Sequence, residues 1–189
     1  MRADCKKGRF RRCRSRNVSV ACPIIWVELR SRSGSPDVTR QTGAPVLDKS
    51  IRATDLQISL DDANEAGLFK WLIASFLMGK RIQAGIAVKA YEVIIDKHQR
   101  DTPRKLAHCS HRELVQMLGE AHYVRYDETT ASRLLALAIK LNAEYAGKVG
   151  NMVEASANRA EFEQRLADFE GIGPKTVEIF MREAARVIF

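Results

Sequence analysis

The sequence predicts an all-α fold: a helical bundle that closes on a helix-hairpin-helix and is preceded by a disordered basic tail. Three observations lead there. From about residue 56 onward, apolar residues recur at spacings of three and four. Helix-capping residues and glycines punctuate these segments at short intervals. No strand pattern competes, because Leu56, Ile58 and Leu60 alternate alone and a lone strand has no partner.

In chain order, residues 1–17 (MRADCKKGRFRRCRSRN) are basic and nearly free of apolar residues. A short β-branched run over 18–29 is broken by Pro23, and 30–45 is rich in Ser, Arg, Gly and Pro. Residues 1–55 are assigned to this tail. Three readings of it stay open, in this order: an upstream extension without a selected function, a basic arm that holds DNA phosphates, or a targeting sequence.

Residues 56–189 form the expected helical domain. Asp61 or Asp62 is expected to cap a helix carrying Leu68, Phe69, Trp71, Leu72, Ile73, Phe76 and Leu77. That segment is apolar nearly all round, as a central, buried helix is. Gly79-Lys80-Arg81 interrupts it, and Ile82, Ile86, Ala90, Val93 and Ile94 mark a second helix to about His98. Thr102-Pro103 reads as a cap followed by a first-position proline. Ser110-His-Arg-Glu113 has the spacing of a capping box, with Gly119 as the stop. Asp127 is expected to cap a helix with Leu134, Ala138, Leu141 and Tyr145 on its apolar face, ending at Gly147. Asn158 opens the helix of Phe162, Leu166 and Phe169, and the last helix buries Val177, Phe180, Met181, Ala184 and Ile188. The total is six or seven helices, with the helix-hairpin-helix at 159–188.

The hairpin itself is Gly171-Ile172-Gly173, followed by Pro174. Two glycines one residue apart permit a very tight bend, and the proline suits the first helical position. The free N–H groups of such a bend and of the next helical turn suit a phosphate oxygen.

The net charge of +8 is unevenly spread. Residues 1–45 carry 11 Lys/Arg against 3 Asp/Glu, whereas 46–189 carry 20 of each. Nucleic-acid affinity in the domain therefore has to come from local placement of charge. Cys5, Cys13, Cys22 and Cys109 form no C-x-x-C pair, which favours free thiols in a reducing compartment over a metal site or a disulfide framework. His108 and His111 share a spacing but lack a third ligand, so no metal is assigned. Tyr123 and Tyr126 flank Arg125, and core packing of both rings is the expectation, with a base pocket as the alternative. No apolar run reaches the length of a membrane span.

With these residues in place, the domain resembles the endonuclease III family of helix-hairpin-helix DNA glycosylases (the HhH-GPD superfamily). Four stretches carry the likeness: 68–77 (LFKWLIASFL), 119–127 (GEAHYVRYD) with 131–141, the helix over 158–169, and the hairpin 169–176 (FEGIGPKT). The family's hairpin reads as a hydrophobic residue, then x-Gly-x-Gly-x-Lys-Thr. The resemblance implies most of a six-helix barrel and a base-excision-repair role on damaged or abasic double-stranded DNA, bound mainly through backbone phosphates. It places Gly171, Ile172, Gly173, Lys175 and Thr176 at the DNA. In the loop 78–83 family members often carry a polar residue that fills the gap left by a flipped base; here Lys80 and Arg81 make it basic instead, expected to contact phosphates or enter the duplex, with a solvated helix connection as the alternative. By motif position Lys175 is the implied nucleophile of a glycosylase with lyase activity, attacking the deoxyribose C1′ and forming a Schiff base. That chemistry needs a neutral amine, which a helix N-terminus and partial burial both favour.

Two departures mark this sequence. The family's second catalytic residue is an Asp beyond the hairpin's second helix, and no Asp follows Lys175; Glu178, one turn away, can pair with the lysine instead. The four-cysteine iron–sulfur pattern of many members is also missing, so no cofactor is expected. The alternative is a non-catalytic DNA-binding protein or a truncated, inactive relative. Either role implies a cytoplasmic or nucleoid location, with organellar or nuclear targeting by the basic N-terminus as the lesser option.

Overall fold

Helix α1 (Glu65–Met78) is the axis of the folded unit, because its sequence leaves almost no polar face to turn outward. Leu68, Trp71, Leu72, Ile73, Phe76 and Leu77 are all fully buried. Each such side chain contributes about 1.5–3 kcal/mol of burial. The computed structural model describes residues 50–189, and these are all-helical, with no strand among them. The expected basic tail, with Cys5, Cys13 and Cys22, falls outside the described residues up to position 49. Residues 51–53 belong to the packed unit: Ala53 is buried, and Arg182 donates to the Ile51 carbonyl at 2.7 Å. The helical unit therefore starts before the expected boundary at residue 56.

Seven more helices follow: α2 (Ala84–Glu92), α3 (Pro103–Ala107), α4 (His111–Glu120), α5 (Asp127–Tyr145), α6 (Val149–Glu154), α7 (Arg159–Ala167) and α8 (Pro174–Ile188). α1 packs against α2, α6 and α8, while α5 packs against α3, α4 and α6. α2 runs on into a π-helical turn, Val93–Lys97, so the helical stretch ends near His98 as expected. The wider turn puts the adjacent Ile94 and Ile95 both in the core.

Several caps match their sequence signals. Thr102 accepts from the Lys105 amide, and Ser110 and Glu113 form the full capping box. The Asn158 side chain accepts from the Glu161 amide at 3.0 Å. Other signals were displaced. Asp61 is drawn into a bond with the Ser59 hydroxyl, and Asp62 sits at φ +53 within a 3-10 turn (Asp61–Ala63). Asn64 therefore caps α1, accepting from the Ala66 amide. Gly119 lies inside α4, and His122 takes the left-handed backbone position beyond the helix end instead. Asp127 is the first residue of α5 rather than its cap. Tyr126 holds that place at φ +68 with no side-chain capping bond, while the Asp127 carboxylate accepts from the Glu128 amide.

α6 is the helix that periodicity did not announce. It is six residues long, and its N-terminus is capped from far away in sequence. The Glu65 carboxylate accepts from the amides of Val149 and Gly150, both at 2.9 Å. A carboxylate at a helix N-terminus satisfies orphan donors and complements the helix dipole.

α7 and α8 pair through Phe162 and Phe180, whose ring centroids lie 6.2 Å apart. Trp71 of α1 reaches across to donate its indole N–H to the Phe180 carbonyl at 3.0 Å. These contacts fix the last two helices, and the turn between them, against the central helix.

Candidate nucleic-acid interface

The turn between α7 and α8 is closed by one backbone bond, from the Ile172 amide to the Phe169 carbonyl at 3.0 Å. Gly171 sits at φ +85, a left-handed conformation that a residue with a Cβ adopts only under strain. Gly173 is extended (φ −102, ψ 176) at the cap position of α8, and Pro174 takes the first helical place. The amides of Gly171, Gly173, Lys175 and Thr176 have no acceptor among the described residues. Four unspent donors lie within six residues at one bend, the kind of backbone segment that suits an anion.

The two glycines differ in their surroundings. A Cβ at Gly173 would meet nothing within 4 Å. A Cβ at Gly171 would lie 2.6 Å from Arg133 Cδ and 3.3 Å from Phe76 Cε2. One glycine thus faces open space, and the other is seated against α1 and α5.

The residues expected at DNA divide in the same way. Lys175 is exposed, and its ammonium pairs with Glu178 at 3.0 and 3.1 Å. Its side chain is 65% exposed, so the partial burial expected at this position is missing. Arg81 is also exposed. Ile172 and Thr176 are buried side chains. Ile172 anchors the bend in the core and has spent its amide on the turn, while Thr176 packs against Gly79, whose Cβ position lies 2.0 Å from its hydroxyl oxygen. Thr176 offers a ligand only its backbone N–H, and Ile172 offers none.

Lys80 is half-buried against the hairpin. Its ammonium donates to the Gly171 carbonyl and lies 4.3 Å from the centroid of the Phe76 ring. Burial, and next the neighbouring Arg133 charge, lower the Lys80 pKa below its ordinary value. Around it is a hollow of about 380 Å³ lined by Lys80, Arg81, Tyr126, Thr129 and Arg133. Three cations line this hollow, although Arg133 also lies 3.4 Å from the Glu170 carboxylate. On the α8 side, Lys175 stands at a smaller cleft of about 250 Å³ with Met78, Ile82 and Ile179. A larger groove of about 840 Å³ separates α7 from α8, where Arg159, Glu163, Glu178 and Arg186 mix both signs of charge around Met181.

The two tyrosines part company. Tyr123 is fully buried and packs in the core, whereas Tyr126 is half-exposed at the hollow, with the Arg125 guanidinium 5.0 Å from its ring centroid. Arg133 and Lys140 are additions that sequence reasoning missed. Lys140 donates to the Asp168 carbonyl at 3.1 Å and lies over the Phe169 ring. Both sit on α5, and nothing local in the sequence announces a neighbour on the hairpin. His111 contacts the Glu128 carbonyl at 3.0 Å, and the described residues hold no group of three metal-ligating side chains. No helix among them is long and apolar enough to cross a membrane. Comparison with protein-family models, with curated proteins and with solved structures found no match to this chain.

Proposed function

We propose that this protein binds double-stranded DNA through backbone phosphates, without reading sequence, in a base-excision-repair setting. The observation that carries the reading is the α7–α8 turn, with four unpaired amides, an open Gly173 and an exposed Lys175 beside it. In this reading the eight helices follow the six-helix-barrel plan, and α7–turn–α8 is its helix-hairpin-helix. A phosphate oxygen takes the amides of Gly173, Lys175 and Thr176, while Lys175 and Arg81 supply cationic contacts to neighbouring phosphates. DNA binding implies a location where DNA is held, such as a nucleoid.

The test is fluorescence anisotropy of the full chain with a labelled duplex across a salt series. Gly173→Val keeps the fold, because the space around it is empty, but its side chain blocks the phosphate. Hydrogen bonds to a charged group are worth about 1.5–3 kcal/mol each, so affinity should fall about tenfold or more. Equal binding by wild type and Gly173→Val would sink the proposal.

A second reading, strand cleavage by Lys175, draws on the cleft of about 250 Å³ that this residue lines. An exposed ammonium paired with Glu178 suits phosphate better than nucleophilic attack. Borohydride reduction in the presence of abasic-site DNA is therefore expected to trap no covalent complex. A trapped complex that Lys175→Ala abolishes would establish the lyase instead.

A further inference from the structure

We propose that Lys80 is a positioning residue: it fixes the conformation of the hairpin and sets phosphate affinity from behind, without touching the phosphate. The inference rests on the phosphate-binding reading of the α7–α8 turn.

The geometry comes from the end of α1. Phe76, Gly79 and Lys80 form one helical turn and its exit, and each meets the hairpin region. The Phe76 ring lies under Gly171, with Cε2 3.3 Å from the place a Cβ would take. Gly79 receives Thr176 so closely that no side chain fits between them. Lys80 completes the cradle by donating to the Gly171 carbonyl while its charge rests over the Phe76 ring.

This contact matters because Gly171 is the left-handed point of the turn, where the chain reverses. At φ +85 its backbone is held by very little: one turn-closing bond from the Ile172 amide, plus packing against Phe76 and Arg133. The Gly171 carbonyl and the Ile172 amide belong to the same peptide group. A cation on that carbonyl polarises the peptide and strengthens the bond its N–H makes to Phe169. It also pins the peptide plane, which orients the adjacent free amides of Gly171 and Gly173. Burial of Lys80 beside Arg133 works against holding an ammonium there, and the carbonyl and ring offset that cost. Arg81, next in sequence and exposed, is the contrasting case of a cation free to meet phosphate.

The two roles separate by salt dependence. Loss of one phosphate contact lowers the slope of log K against log salt by about 0.9. Lys80→Met and Lys80→Gln remove the strut, with Arg81→Gln as the comparison. Binding to a labelled duplex and amide hydrogen exchange of the full chain are both measured. The Lys80 variants are expected to bind about tenfold more weakly with the wild-type slope, and to exchange the Ile172 amide about tenfold faster, while amides inside α1, such as that of Leu72, keep their protection. Arg81→Gln is expected to lower the slope and leave Ile172 unchanged. A slope lowered by about 0.9 in the Lys80 variants, or unchanged Ile172 exchange, would overturn the proposal. Uniformly faster exchange, including α1, would reduce Lys80 to general stability and overturn it as well. If wild type itself fails to bind the duplex, the phosphate-binding reading falls together with the affinity half of this proposal, and Ile172 exchange still decides whether the strut exists.

Discussion

Gly171 and Gly173 are one residue apart, and their sequence context makes them look equivalent. Their environments make them opposites. At Gly171, any side chain must adopt φ +85 and displace Arg133, whereas at Gly173 it meets open space at an ordinary φ. Gly171→Val is therefore expected to destabilise the protein by about 2 kcal/mol or more, the left-handed penalty plus the displaced neighbour. For a chain of this size that is a fall of roughly 4–8 °C in Tm, measured by thermal unfolding followed by circular dichroism. Gly173→Val should melt within about 2 °C of wild type. A reversed order would mean that the turn has a different backbone. The sequence motif alone treats both glycines as binding residues; only their packing separates one seated in the fold from one facing open space.

Caps fix where the individual helices begin. Local caps were legible: Ser110–Glu113 and Asn158 lie three residues from the amides they serve, so the pattern and the contact are the same object. Hydrogen bonds from the backbone and hydroxyl of Ser110 hold the Glu113 carboxyl below the usual carboxylate range. A depressed carboxyl contributes stability above its unfolded pKa and loses it as pH falls through the lower folded value. Acidification from about pH 5 to about pH 2 should therefore lower the Tm of wild type more than that of Glu113→Gln, which has no such group to titrate. An identical acid response in both would refute the linkage. α6 obeys the same chemistry at long range. Glu65→Ala strips the acceptor from two part-buried amides and is expected to cost about 1–3 kcal/mol, with α6 amides exchanging first in a hydrogen-exchange time course. If α6 keeps its protection in that variant, another cap must serve it. Sequence reading passed over α6 because its cap lies 84 residues away, and six residues are too few to show a period.

Across the whole molecule, α1 is the element on which the others converge. Trp71 is fully buried, and its indole N–H is spent on the Phe180 carbonyl. Trp71→Phe keeps most of the apolar volume but removes the bond that ties α1 to the α8 backbone and leaves a void beside it. The expected cost is about 2–4 kcal/mol, read from the shift in urea midpoint, and a change below about 0.5 kcal/mol would show that α8 is held elsewhere. The near-neutral balance of 46–189 gains meaning at this scale too. Lys80, Arg81, Arg133 and Lys175 gather around the hairpin; Glu170 lies beside Arg133 and Glu178 beside Lys175, so among the described residues the cations there without a carboxylate partner are Lys80 and Arg81.

The sequence by itself determined that residues 56–189 would be helical, where most helices start and stop, and that a tight glycine turn would join the last two. Those facts are written in neighbours three or four positions apart, within reach of the i,i+4 bonds that build a helix. The tertiary structure alone decided that Glu65 caps α6, that Thr176 turns inward onto Gly79, and that Lys80 reaches the Gly171 carbonyl 91 residues away. It also left the Lys175 side chain in solvent beside Glu178. The reason is physical. Periodicity records which face of a helix is apolar, but the fate of each polar side chain depends on which backbone groups the packed core leaves unpaired, and packing brings those groups together from distant parts of the chain.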